Sequence, residues 1–259
     1  MDIIVKTIGG GIFSKFIIAL QSILINIDNV DDISNIYIEI DNDRVDKNTQ
    51  PNRILNRYNN PFDFVIEQNM IENPDRVILS KPHMNYTTHD SLFGTEDLRR
   101  LRIIASKIKI KDSVLNKINS NINERTLGIH VRLTDMAQYH PELHRGTTTN
   151  DYLIKINEVL SNNHFDEIFI SSDNYQSLEK IKSTYPNLLY NDVNNRNIDE
   201  SPNNYGIYMA NQMHLESFWI DSFLEMLSLS RCGTMIYKSS NLNNSSIIFS
   251  KNIQKSYKI

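Results

Sequence analysis

Leu127-Gly-Ile-His-Val-Arg-Leu-Thr-Asp-Met136 carries a histidine, an arginine and an aspartate out of an otherwise apolar run. Leu127, Ile129 and Val131 alternate at the period of a strand, which puts His130 and Arg132 on the opposite face, with Arg132 at the C-terminal end. In an open parallel sheet that end is where ligands bind. A guanidinium there can hold a diphosphate through paired, charge-assisted hydrogen bonds that a lysine does not reproduce. An ordinary ion pair between Arg132 and Asp135 at a strand end accounts for the same residues, so the surrounding chain has to decide.

Downstream the alternation of elements is regular. The pattern predicts a strand at 127–131, a helix at about 150–161, a strand at 167–171, a helix at about 175–184, a strand at 187–190, a helix at about 215–230 and a strand at 234–237. Strands alternating with helices imply a mostly parallel, doubly wound sheet. Two more strand ends carry polar residues. Glu167-Ile-Phe-Ile-Ser-Ser-Asp-Asn174 ends in small hydroxyls, Ser172 among them, and an acid, Asp173, placed to accept hydrogen bonds from a base or ribose. Asp173 or Asn174 capping the next helix is the competing explanation. Cys232-Gly-Thr-Met-Ile-Tyr-Lys-Ser-Ser-Asn241 runs a strand into Ser239, Ser240 and Asn241, where backbone N–H groups of a helix start suit phosphate. Capping alone also explains those serines.

Upstream, Ile3–Ile8 is β-prone and leads through Gly9, Gly10 and Gly11 into apolar residues at helical spacing from Phe13 to Leu24. Three of the chain's eight glycines lie in this turn, which serves either close packing or the approach of a ligand to a helix start. Asn35–Ile40, Phe62–Ile66 and Arg76–Leu79 continue the strand pattern. Thr95-Glu-Asp97 opens a helix whose stripe is Leu98, Leu101, Ile104 and Ile108. Polar Asn116–Arg125 is the best domain connection. The expected fold is therefore α/β with two Rossmann-like lobes, 1–122 and 123–259, whose mostly parallel sheets face a central cleft.

Composition narrows the function classes. The chain has 259 residues, 40% hydrophobic and 22% charged, which suits an ordinary globular protein of one large or two modest domains. A net charge of −4 argues against broad nucleic-acid binding. The single Cys232 allows no internal disulfide, and seven scattered histidines form no Cys/His cluster, so no structural zinc is expected. The apolar run Ile17–Ile25 is broken by Gln21 and Ser22, and the N-terminus lacks a signal-peptide pattern. These features predict a cytoplasmic location without a membrane span. Asp41-Asn-Asp43 matches a bare Asp-x-Asp metal pattern and reads as a solvated turn.

Across residues 127–250 the segments resemble, in order, the fucosyltransferases of the two-lobed GT-B architecture, including α1,2-, α1,6- and protein O-fucosyltransferases. His130-Val-Arg132-Leu133-Thr134-Asp135 is similar to the family's His-x-Arg-Arg-Gly/Thr-Asp, and Ser172-Asp173-Asn174 to its Ser/Thr-Asp-Asp/Asn strand end. Phe223-Leu-Glu225-Met-Leu-Ser-Leu-Ser-Arg-Cys232 followed by Ser239-Ser240 resembles a third element. More weakly, Gly9-Gly-Gly-Ile-Phe-Ser-Lys-Phe16 is similar to the N-terminal glycine loop. Two positions depart from the pattern: Leu133 stands where a second arginine is common, and Met136 where a basic residue often follows the aspartate.

The resemblance implies an inverting, metal-independent transfer of fucose from GDP-fucose to a glycan or glycoconjugate hydroxyl, with no cofactor. The C-terminal lobe would bind the donor and the N-terminal lobe the acceptor. Arg132 would grip the β-phosphate and stabilise charge on departing GDP, and His130 would shape the same pocket. Gly10, Gly11, Asp135, Ser172, Asp173, Glu225, Ser239, Ser240 and Asn241 would complete the donor site. His140, after Asp135, is a candidate general base, since a histidine near neutral pKa suits that task; Glu142 and His144 share its loop. The alternatives are a GT-B transferase for another nucleotide sugar, and a nucleotide- or glycan-binding protein without turnover, which Leu133 and Met136 motivate.

Overall fold

A computed structural model of the chain describes residues 1–7, 12–41, 60–80, 95–133, 147–193 and 215–259. It divides into two compact units. One comprises Met1–Leu115 with Met209–Ile220, and the other Asn116–Tyr208 with Asp221–Ile259.

The first unit holds β1 (Asp2–Thr7), α1 (Ile12–Asn26), β2 (Asn35–Ile40), β3 (Arg76–Leu79), α2 (Glu96–Ser106) and the short α3 (Asp112–Leu115). Its strands are parallel in the order β2-β1-β3. Helix α1 is buried from Ile12 to Ile23 except at Phe13, the polar Ser14, Lys15, Gln21 and Ser22 included. Thr95 caps α2 by accepting from the Leu98 N–H at 3.1 Å, and Leu98, Leu101 and Ile104 are buried. Arg100 of α2 donates to the carbonyl of Ile27 at 2.6 Å, satisfying backbone just past the end of α1.

Phe62–Ile66 is not a strand. Pro61–Phe64 forms a 3₁₀ turn, with the Asn60 side chain accepting from the Phe62 N–H at 3.4 Å, and only Ile66 makes a β-bridge, to Ile110. The Asn-Pro pair favours turn initiation, which outweighs the alternation that follows. Buried Phe62 then packs edge-on to Trp219 with ring centroids 5.1 Å apart.

The second unit holds β4 (Thr126–Val131), α4 (Thr149–Asn162), β5 (Glu167–Ser172), α5 (Tyr175–Thr184), β6 (Leu189–Tyr190), most of α6 (Glu216–Arg231), β7 (Thr234–Tyr237), α7 (Asn241–Phe249) and β8 (Lys255–Lys258). Its parallel sheet has the order β6-β5-β4-β7-β8. Every residue of β4 is buried. On one face Leu127, Ile129, Val131, Ile170 and Ile236 pack against Tyr152, Ile156 and Val159 of α4 and Leu178 and Ile181 of α5. The other face meets α6, whose Leu229 and neighbouring Cys232 lie directly over Gly128. The edge strand β8, with Lys255 and Lys258 exposed, has no apolar alternation to announce it. Among the described residues no helix is long and apolar enough to cross a membrane.

Backbone approaches closely at Gly233, where a Cβ would stand 1.9 Å from the Glu124 carbonyl oxygen. Gly233→Ala is expected to destabilise the protein by about 3 kcal/mol, because a rigid backbone neighbour must move. In urea unfolding this reads as a lowered midpoint with an unchanged slope; an unchanged midpoint would show that the segment around Glu124 yields freely.

Candidate functional site

In the five-stranded sheet the chain starts at β4, builds outward through β5 and β6, then returns to the other side of β4 for β7 and β8. The order reverses between β4 and β7, and in such sheets the crevice beyond the C-terminal strand ends at the reversal accepts ligands. His130 is in register with Tyr237, and Val131 with Ser172. The next residues along the three strands are Arg132, Asp173 and the run Lys238-Ser239-Ser240. Topology thus brings to one sheet edge three segments that are far apart in sequence.

The Arg132 guanidinium meets Asp173 at 3.2 Å (Nη1 to Oδ2), with the two side chains 18% and 5% exposed. The other Asp173 oxygen accepts from the Leu133 N–H at 3.2 Å. One carboxylate therefore fixes both the direction of the arginine and the path of the chain beyond it. The alternative partner Asp135 lies outside the described residues, as do Gly10, Gly11 and His140. Capping of α5 falls to Asn174, whose Oδ1 accepts from the Ser177 N–H at 2.7 Å. Ser172 is turned inward, donating to the Asn174 carbonyl at 2.9 Å and accepting from the Asn174 N–H at 3.1 Å.

At the end of β7, Ser240 caps α7 by accepting from the Asn243 N–H at 3.3 Å. Ser239, Ser240 and Asn241 are partly exposed, so this helix start is reachable by a ligand. His130 and Glu225 are more deeply placed. His130 is 2% exposed, and strand alternation puts it with Gly128 on the face covered by α6. Glu225 of α6 accepts from the Ser171 hydroxyl at 2.9 Å, and both residues are buried. These side chains form a polar layer beneath the sheet edge, not its open rim. Among the described residues no group of three or more His, Cys, Asp or Glu is arranged to hold a metal ion.

Two residues enter that the sequence pattern did not single out. Tyr152 of α4 is fully buried, and its hydroxyl accepts from the Arg132 N–H at 3.1 Å, just beyond the last paired residue of β4. Its spacing in the helix reads as core, which is correct for the ring and silent about the hydroxyl. Burial drives its phenol pKa strongly upward. Lys238 is 5% exposed, and its ammonium donates to the Thr147 hydroxyl just ahead of α4. Burial lowers its pKa, Asp151 opposes that shift, and Lys258 adds to it. A lysine directly before Ser239-Ser240 was the available signal.

Neither a protein-family model nor a curated protein sequence matches the chain. Among solved structures it is similar to the fucosyltransferase NodZ from Bradyrhizobium, with a TM-score of 0.53 and 11% identity over 96% of this chain and 93% of that one. NodZ alpha-1,6-fucosyltransferase co-crystallized with GDP gives 0.52 and 12%, over 96% and 92%. At such identity the likeness is one of fold: α/β, of the GT-B type found in fucosyltransferases.

Tyr152→Phe keeps the ring and removes the acceptor of the Arg132 N–H. It should cost about 1 kcal/mol and quicken hydrogen exchange at that amide, with Ile129 unchanged. The folded-state phenol pKa lies above its unfolded value of about 10, so its contribution is intact below pH 10 and lost as pH rises beyond. Stability of the parent should therefore fall on that alkaline limb, and the variant should show a shallower fall in a pH series of urea midpoints.

Proposed function

We propose that this chain is a glycosyltransferase of the fucosyltransferase kind, moving fucose from GDP-fucose to a glycan hydroxyl with inversion and without a metal. One observation carries the reading. The strand ends bearing Arg132, Asp173 and Ser239-Ser240 meet at the topological reversal of a sheet in a fold shared with fucosyltransferases. The motifs that resemble the family are the same three strand ends, and a solved relative in fold was crystallised with GDP.

In this reading residues 123–259 bind the donor and 1–122 the acceptor. Arg132 presents its planar fork to the β-phosphate and stabilises the charge that develops as GDP departs. Transfer passes through an oxocarbenium-like state, so charge positioned at the leaving diphosphate lowers the barrier. Asp173 meets guanosine or its ribose and holds Arg132 in place. Ser239, Ser240 and Asn241 supply hydroxyl and N–H donors at the start of α7. His130, Ser172 and Glu225 shape the pocket from below. Gly10, Gly11 and Asp135 complete it, and His140 takes the proton of the acceptor hydroxyl.

Calorimetric titration with GDP, UDP, ADP and GDP-fucose, without added metal, tests the reading. Selective binding of GDP and GDP-fucose is expected, weakened at least about 100-fold in Arg132→Ala, since a charge-assisted bidentate contact and its alignment are both lost. No nucleotide binding, or binding unaffected by Arg132→Ala, would remove the donor assignment. Preference for UDP or ADP would favour another nucleotide sugar, and GDP binding without transfer to any acceptor would leave a binding protein.

A further inference from the structure

We propose that Lys238 supplies a second cation of the diphosphate site beside Arg132; this rests on the donor-site reading above.

Strand β7 is buried at every residue and leads directly into this lysine, which is itself 95% buried by its 5% exposure. An ammonium withdrawn from water costs several kcal/mol unless an opposite charge answers it. Among the described residues none does so by direct contact. The ammonium's partner is the neutral Thr147 hydroxyl. Asp151 opposes its desolvation from a distance, its carboxylate bonded to the Thr148 N–H at 2.7 Å and hydroxyl at 2.8 Å and not to the lysine. Lys258, whose strand pairs alongside, adds like charge.

At the neighbouring strand end Arg132 and Asp173 sum to zero. The net positive charge among Arg132, Asp173 and Lys238 therefore rests on Lys238, at the end of the strand next to β4. It lies one residue before Ser239 and two before the cap of α7, on the adjoining strand to Arg132. The start of α4 touches both cations, through Thr147 to the Lys238 ammonium and Tyr152 to the Arg132 backbone. A ligand with two adjacent negative groups would answer the buried charge and meet the partly exposed start of α7. A diphosphate has that shape. Lysine acts there as a compact point charge, so its geometry is less demanding than a guanidinium's.

The test titrates GDP into the full chain and into Lys238→Met, Lys238→Arg and Thr147→Val, with thermal melts of each. Lys238→Met keeps the apolar stem and removes the charge. It is expected to bind GDP at least about tenfold more weakly while its melting temperature stays level or rises, because a buried charge without a direct ionic contact has gone. Lys238→Arg should recover part of the affinity, and Thr147→Val should keep it. If Lys238→Met binds GDP as the parent does, or if it loses affinity only together with a lowered melting temperature that Thr147→Val reproduces, the lysine is structural and the inference falls. If the parent binds no GDP, the donor-site reading itself fails, an outcome separate from the first two.

Discussion

The parallel pairing of β4 with both β5 and β7 is the constraint on which the second unit depends. A central parallel strand is covered on both faces, so all its residues must suit the interior. Thr126–Val131 meets this with apolar side chains on the α4 and α5 side, and with Gly128 and His130 on the α6 side. Gly128 lets α6 lie close, since a Cβ there would approach the Cys232 sulfur to 2.9 Å. The same pairing aligns three C-terminal strand ends. Packing and site are thus two consequences of one strand order.

Polarity is concentrated where this sheet ends. Within the apolar layers, several polar groups near the edge are engaged in specific bonds: Ser172 with the Asn174 backbone, Ser171 with Glu225, and Tyr152 with the Arg132 N–H. Such bonds remove the cost of burying donors and acceptors, and they fix the local chain path. Asp173 is the clearest case, since one carboxylate orders both Arg132 and Leu133. An arginine already aligned loses less freedom when an anion arrives, which is how a strand-end site gains from a rigid scaffold.

Much of the second unit was legible in its sequence. The limits of α5 and β7 coincide with the expected ranges, α5 through apolar residues at helical spacing and β7 as a short, fully buried run. The charged strand β8 was not legible, since its place at an exposed edge asks for no apolar face. Phe62–Ile66 illustrates the opposite failure. Its alternation is that of a strand, yet Asn60 and Pro61 set a turn whose apolar residues reach Phe16 and Trp219 in the unit's core.

By itself the sequence determined the order of strands and helices from β4 to β7, the polar residues at their ends and the residue types suited to a diphosphate, because these follow from local periodicity and side-chain chemistry. Only the tertiary structure decided that Arg132 turns to Asp173, that Asn174 rather than Asp173 caps α5, and that Tyr152 and Lys238 belong to the same edge. Apart from the local cap, those relations join residues 20 to 91 positions apart. They depend on which strands are neighbours, and strand order is set by burial of the whole sheet, which no local pattern encodes.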